Sequence, residues 1–293
     1  YKRQLYMQIK YWLLLILLGA VWGSSFIFIK IATPEFGPVP FVGLRLLLAG
    51  SLFLPFLLMP KYLNQIHGHI YKILFLSLFN TAIPFTLFSY ASLYSNSNML
   101  AILNSTAALF TMIIAYLWIN EPVSKKQLLG LVIGFIGILI IVNPFNTQTT
   151  LIASLACLLA ASSYGTANVF IQKFATDVNK LVLIGWSLIF GGLIFLPYTI
   201  ISFPEVTPSK EAILSLIWAG AVGTGLAFIG YIRLIEKIGA VKTSTVAYFL
   251  PVFGIIWGNL FLDESITFII IFGCITVLIG IFIANSNKPS AEL

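Results

Sequence analysis

The chain has 293 residues, of which 59% are hydrophobic and 9% charged, with a net charge of +7. A soluble domain carries about 25% charged residues, so these proportions exclude a large water-soluble core and point to a membrane protein. The basic surplus does not indicate nucleic acid, because Lys and Arg punctuate apolar runs instead of clustering on a polar face.

The first charge-free run, residues 11–29, lies between Lys10 and Lys30. At ~1.5 Å rise per residue it has close to the ~20 residues that cross a bilayer. Its centre is Trp22-Gly23-Ser24-Ser25, where a purely lipid-facing span would carry Leu or Ile. The next runs are 36–60, broken once by Arg45, then 73–120, 127–172, 181–204, 212–232, 243–262 and 265–287. Two of these have the length of two spans, and each has a polar break near its middle, at 94–98 and at 143–150. Clusters of Asn, Ser, Thr and Pro mark turns, so the total is ten. The runs lack the period-two alternation of membrane barrels. The expected fold is an all-α membrane protein with ten transmembrane helices.

Unusual residues fall at the middle of several spans. Span three has Asn80, Thr81 and Pro84, span four has Asn104 and Thr106, and span six has Tyr164 and Asn168. Span eight has Gly223, Thr224 and Tyr231, and span nine has Tyr248 and Pro251. Polar groups at this depth are costly unless they pair or meet water. They therefore read either as helix–helix glue or as the lining of a cavity. Pro84 and Pro251 lack an N–H and are expected to free the carbonyls of Asn80 and Ala247. The expected substrate-binding set is Trp22, Ser24, Asn80, Thr81, Asn104, Tyr164, Asn168, Thr224, Tyr231 and Tyr248. Arg45 lies about 10 Å deep and reads as a tie between helices or as a partner for a substrate carboxylate. Lys30 and Lys173 close their spans as interfacial anchors or gate residues. Glu121 and Glu264 are expected to cap the helices that follow them. Cys157 and Cys274 lie in apolar runs and read as small buried side chains.

If the N-terminus is placed in the cytoplasm and the sides alternate, thirteen Lys and Arg residues fall in cytoplasmic segments and one, Lys210, outside. This bias predicts that both termini are cytoplasmic. The second half also echoes the first. At a shift of 143, Thr81, Phe85, Glu121, Gly130 and Gly137 answer to Thr224, Phe228, Glu264, Gly273 and Gly280. At a shift of 142, Gly23 and Phe28 answer to Gly165 and Phe170, and Trp22 is matched by Tyr164. Five spans per half is an odd number, so residues 1–146 and 147–293 are expected to be inverted five-helix repeats, as in many transporters.

The run Trp22-Gly-Ser-Ser-Phe-Ile-Phe-Ile-Lys30, the Arg45-Leu-Leu-Leu-Ala49 run, and the Glu121-Pro122 and Glu264-Ser265 pairs carry a resemblance. In that order, over ten spans, the chain resembles the drug/metabolite transporter superfamily, EamA type. The resemblance implies a bacterial inner-membrane carrier, often an exporter of amino acids or other metabolites. Small multidrug relatives carry a carboxylate within the first helix, and this chain has Trp-Gly-Ser-Ser there. With no Asp, Glu or His in the middle of a span, coupling to a proton on a buried side chain is not expected. The chain has no Walker loop, HExxH helix or GxSxG elbow.

The expected function is therefore export of small metabolites by alternating access through a central cavity, with no cofactor, metal or nucleic acid. The partners are a small-molecule substrate and the bilayer, with spans 5 and 10 peripheral and available to a homodimer. The rival readings are an importer of a nutrient such as a quaternary amine, and a membrane enzyme or scaffold.

Overall fold

A computed structural model describes residues 2–141, 151–238 and 243–285. Among them the regular structure is helical, with no strand. We label the main helices α1 (Lys2–Phe36), α2 (Pro38–Ser51), α3 (Gln65–Ser92), α4 (Ser97–Ile119) and α5 (Lys125–Ile141). They continue as α6 (Leu151–Phe174), α7 (Lys180–Ile201), α8 (Lys210–Ile238), α9 (Val246–Leu262) and α10 (Phe268–Asn285). Six of them, α1, α3, α4, α6, α7 and α8, are long and apolar enough to cross a membrane, while α2, α9 and α10 are shorter apolar helices. The outer surface carries Leu139, Ile201, Phe268 and Phe282 fully in the open. Such a surface suits lipid and not water.

The helix ends follow local chemistry. α1 gives way to α2 at Gly37, whose φ of 78° is left-handed space that only glycine enters freely, and Pro38 then sets the first turn of α2. α4 and α9 both end on a left-handed residue, Asn120 (φ 53°) and Asp263 (φ 51°). Asn and Asp tolerate that conformation best among residues with a side chain. In each case the cap N–H and the next N–H return to a single carbonyl, Ala115 in α4 and Gly258 in α9. Ser124 and Gln127 start α5 as a capping box, each side chain accepting the other's backbone N–H at 2.8 and 3.3 Å.

α1 packs on α8 and α9, and α6 packs on α3 and α4. α2 packs on α7 and α8, α7 also on α3, and α4 on α9. α5 and α10 pair with each other along a seam of glycines. A Cβ on Gly280 would lie 2.4 Å from the Gly134 nitrogen, and one on Gly130 2.4 Å from the Ala284 nitrogen. Backbone meets backbone here, as small residues allow in a membrane. Both cysteines are free and buried.

Two of the long helices contain π-helical segments, Ser77–Ala82 in α3 and Trp218–Leu226 in α8. The first explains Pro84. In π register the N–H of Ile83 reaches Leu78 O, so the carbonyl left free by the missing proline N–H is that of Phe79. The Ser163 hydroxyl on α6 donates to Phe79 O at 2.7 Å. A plain α-helical register would free the carbonyl of Asn80, and the wider register moves it by one residue. Pro251 stands where the 3-10 turn Ser244–Tyr248 passes into the α-helix Phe249–Leu262.

The glycine seam predicts that Gly280→Leu forces α5 and α10 apart. Overpacking of this kind costs on the order of 1–3 kcal/mol, and thermal unfolding of the purified protein should fall by several degrees. Gly68→Ala, where a Cβ meets nothing within 4 Å, should not destabilise. A second expectation concerns Asp177, in the α6–α7 connection. Its hydrogen bond from Lys72 on α3 outweighs partial desolvation and holds its carboxyl below the ordinary carboxylate range. The tie therefore contributes stability above that range and loses it as pH falls through the lowered value. Asp177→Asn should be less stable than the parent at neutral pH, with the gap closing in acid.

Candidate functional site

A ring of side chains from five helices lies at the π segment of α8 and just beyond that of α3. Thr224, in the π segment of α8, donates its hydroxyl to Ala219 O at 2.8 Å and accepts the Arg45 Nε–H from α2 at 3.0 Å. The Arg45 guanidinium lies over the Phe85 ring of α3, 4.4 Å from its centroid. Tyr164 on α6 meets the edge of Phe85 at 6.5 Å and stacks near Phe88 at 6.3 Å. Phe88 in turn meets Phe26 of α1 at 5.5 Å. One turn before Phe26 on α1 stands Trp22, which meets Phe228 of α8 at 5.9 Å and Tyr231 at 5.1 Å. Phe228 is one turn beyond Thr224, so the circuit closes.

The aromatic pairs of the circuit resemble one another. Trp22–Phe228 is an edge contact at 65° and Tyr164–Phe85 one at 69°. Edge contacts of this kind each add about 0.5–1.5 kcal/mol beyond burial. The members answer to each other at the sequence shifts noted above. Thr81, the counterpart of Thr224, is likewise in a π segment and donates to Ser77 O at 2.6 Å. Arg45 has no such counterpart, since a shift of 143 falls on Leu188, which is fully buried.

Of the expected residues, Trp22, Tyr164, Thr224 and Tyr231 belong to the ring. Ser24 sits beside it, donating to Val21 O at 2.8 Å and accepting the Trp218 indole N–H at 3.3 Å. Asn80 and Thr81 are buried in the α3 π segment. Asn104 is partly buried on α4 with its Oδ1 enclosed and unpaired. Asn168 is exposed one turn from Tyr164 and donates to Thr111 Oγ1 at 3.3 Å. The Tyr248 hydroxyl points to α10, donating to Ile281 O at 3.3 Å. Arg45, with a relative exposure of 5%, is held inside the bundle and does not reach the surface.

Phe26, Phe85, Phe88 and Phe228 were not in the expected set. The shift of 143 between Phe85 and Phe228 was the signal available for two of them. Glu264 is the other surprise. It does not cap α10, whose first turn is served by the Thr267 hydroxyl at 3.3 Å. Its carboxylate, only 7% exposed, instead accepts the Ser97 and Asn98 N–H groups at 2.6 and 3.0 Å. These are the orphan donors of α4's first turn, where the helix dipole favours an anion. Lys30 treats the preceding helix end in the opposite sense, donating to Ser92 O and Ser95 O at 3.0 and 2.6 Å. A cation there faces the negative end of α3. Lys30 thus pins the α3–α4 turn, whereas Lys173 is exposed.

Residues 10–143 and again 151–286 match the EamA-like transporter family. The uncharacterized transporter YoaV of Bacillus subtilis is 30% identical over 270 residues, covering 89% of this chain and 92% of its own. The probable amino-acid metabolite efflux pump of Escherichia coli is 25% identical over 287 residues, covering 92% and 93%. A solved crystal structure superposes with a TM-score of 0.64 at 15% identity, over 95% of this chain and 98% of that one, a likeness of fold. The chain belongs to the EamA-like transporter family. It is a multi-pass membrane transporter and not an enzyme.

The paired caps predict a stability cost when either is removed. Glu264→Ala leaves two enclosed N–H groups without an acceptor, each worth about 1–3 kcal/mol. The midpoint of thermal unfolding in detergent should drop clearly, and less for Glu264→Gln, which keeps one acceptor oxygen. Lys30→Met should fall in the same direction.

Proposed function

We propose that the protein is a secondary carrier that exports small metabolites such as amino acids across a bacterial inner membrane. In this reading the ring around Arg45, Phe85, Tyr164, Trp22 and Thr224 lines the substrate path, together with Ser24, Asn80, Thr81, Asn104 and Tyr231. Asn168 and Tyr248 stand further out, on the approach to it. All ten helices span the bilayer, with both ends cytoplasmic. Residues 1–146 and 147–293 are inverted repeats that rock against each other. A homodimer would use the outward Leu and Phe face of α5 and α10.

The observation that carries this reading is the ring itself, polar and aromatic, built from both halves of the chain at its two π segments. π segments occur often at functional sites. The helix pairing supports the repeats. Moving five helices along turns the α1–α9 pair into α6–α4, α1–α8 into α6–α3, and α2–α8 into α7–α3. Relatives named as probable amino-acid metabolite efflux pumps support the substrate class. The aromatic trio Trp22–Phe228–Tyr231 favours a second reading, import of a quaternary amine held by ring faces.

Reporter fusions after Asn146 and after Lys288 should report opposite sides of the membrane, and the same side for both would remove the ten-span topology. Counterflow in proteoliposomes, run with amino acids and with quaternary amines, separates the two substrate readings. Trp22→Ala and Tyr164→Ala should each lower counterflow at least tenfold while the protein still inserts and purifies. Undiminished transport in both variants would rule out the ring as the path.

A further inference from the structure

Arg45 is the charged member of the ring, and the paired halves do not share it. A guanidinium enclosed at this depth is costly unless something compensates it. Among the described residues no carboxylate does so, since the ion pairs found there both use Asp177, at the far end of α3. The compensation seen is partial. The ring of Phe85 faces the cation, and Thr224 accepts the Nε–H. This is the single hydrogen bond that Arg45 donates to described residues. The terminal N–H fork, whose geometry matches a carboxylate bidentately, is left over.

Thr224 fixes the direction of that fork. Its own hydroxyl hydrogen is committed to Ala219 O, five residues earlier in the π segment, so its lone pair is offered to Arg45. Phe85 lies against the guanidinium, and Tyr164 and Phe88 continue the aromatic face from it. The described acids all lie elsewhere, so no carboxylate partner for a substrate ammonium accompanies the cation.

We propose that Arg45 is the substrate's anion receptor, and that this carrier recognises solutes by a carboxylate attached to an apolar or aromatic body. The ammonium of an amino acid would not be required. The inference rests on the carrier reading and narrows its substrate class. Arg45 binds the carboxylate by its terminal nitrogens, Thr224 orients the guanidinium, and the aromatic faces take the body of the solute. Leu188 at the corresponding position of the other half makes the site one-ended, so that the solute is held in a single orientation.

The test compares carboxylates with their primary amides, which keep the shape and remove the charge. The probes are 3-phenylpropionate, 4-methylpentanoate and L-leucine, each beside its amide, with the purified full chain. Binding is read as thermal stabilisation and transport as counterflow. At least one acid should bind ten times or more tightly than its amide, with no requirement for an amino group. In Arg45→Gln that ratio should collapse to about one. Arg45→Lys keeps the charge without the fork and should retain part of the ratio. Thr224→Val should lower it severalfold with Arg45 intact, which keeps the test alive should Arg45→Gln fail to fold. Equal binding of acids and amides, no binding of any acid, or an acid preference that survives Arg45→Gln would overturn the assignment. Acid–amide parity in a protein that still catalyses counterflow counts against Arg45 alone. Absence of counterflow for every amino acid, carboxylate and amine counts against the carrier reading itself.

Discussion

Within a bilayer no water takes up a spare hydrogen bond, and the irregular backbone of this bundle is arranged around that constraint. Where α3 widens into a π segment and Pro84 withholds an N–H, Ser163 of α6 reaches across to the stranded Phe79 carbonyl. Where α8 widens, Thr224 folds back onto Ala219 O and accepts the Arg45 Nε–H from α2. Where α3 ends and α4 begins, Lys30 and Glu264 take the loose carbonyls and amides between them. Each departure from plain helix is therefore a point at which another helix has to be present. The bundle is held in register by these polar crossings as much as by its apolar packing.

The same constraint accounts for the position of the ring. The two widened helices, α3 and α8, both pack on α2, and Arg45, Phe85 and Tyr164 meet beside them. At the α5–α10 seam, by contrast, backbones touch and leave no room for a side chain. Residue size thus sets the packing, with glycine where backbones meet at the seam and aromatic rings where α1, α3, α6 and α8 converge.

Much of the fold was legible because charge is so scarce. With 9% charged residues, the apolar runs stand out and locate the helices, although Lys10, Lys30 and Lys72 lie inside α1 and α3, which extend beyond the runs. Asn120 and Asp263 announced nothing by themselves, yet Glu121 and Glu264 beside them flagged the same two corners. The candidate site was harder to read. Trp22, Tyr164, Thr224 and Tyr231 stood out because polar or aromatic residues were unexpected at mid-span. Phe88 stood out only weakly, and Phe26, Phe85 and Phe228 did not, since lipid and protein interior are equally apolar and periodicity cannot tell which face of such a helix turns inward. The role of Glu264 required a contact across 167 residues that no local pattern encodes.

That long span also sets an order of events during synthesis. Lys30 is made before the α3–α4 turn and can clasp its carbonyls as soon as α3 is inserted. The amides of Ser97 and Asn98 have to wait for Glu264. At about 5–20 residues per second, the interval is roughly 8–33 s. For that time the first turn of α4 is a nascent end whose donors rely on headgroups, water or the insertion machinery. The corner between α3 and α4 is consequently among the last parts of the molecule to become native. A ribosome stalled within the second half would leave a chain whose early helices are inserted but whose corner stays open to quality-control proteases.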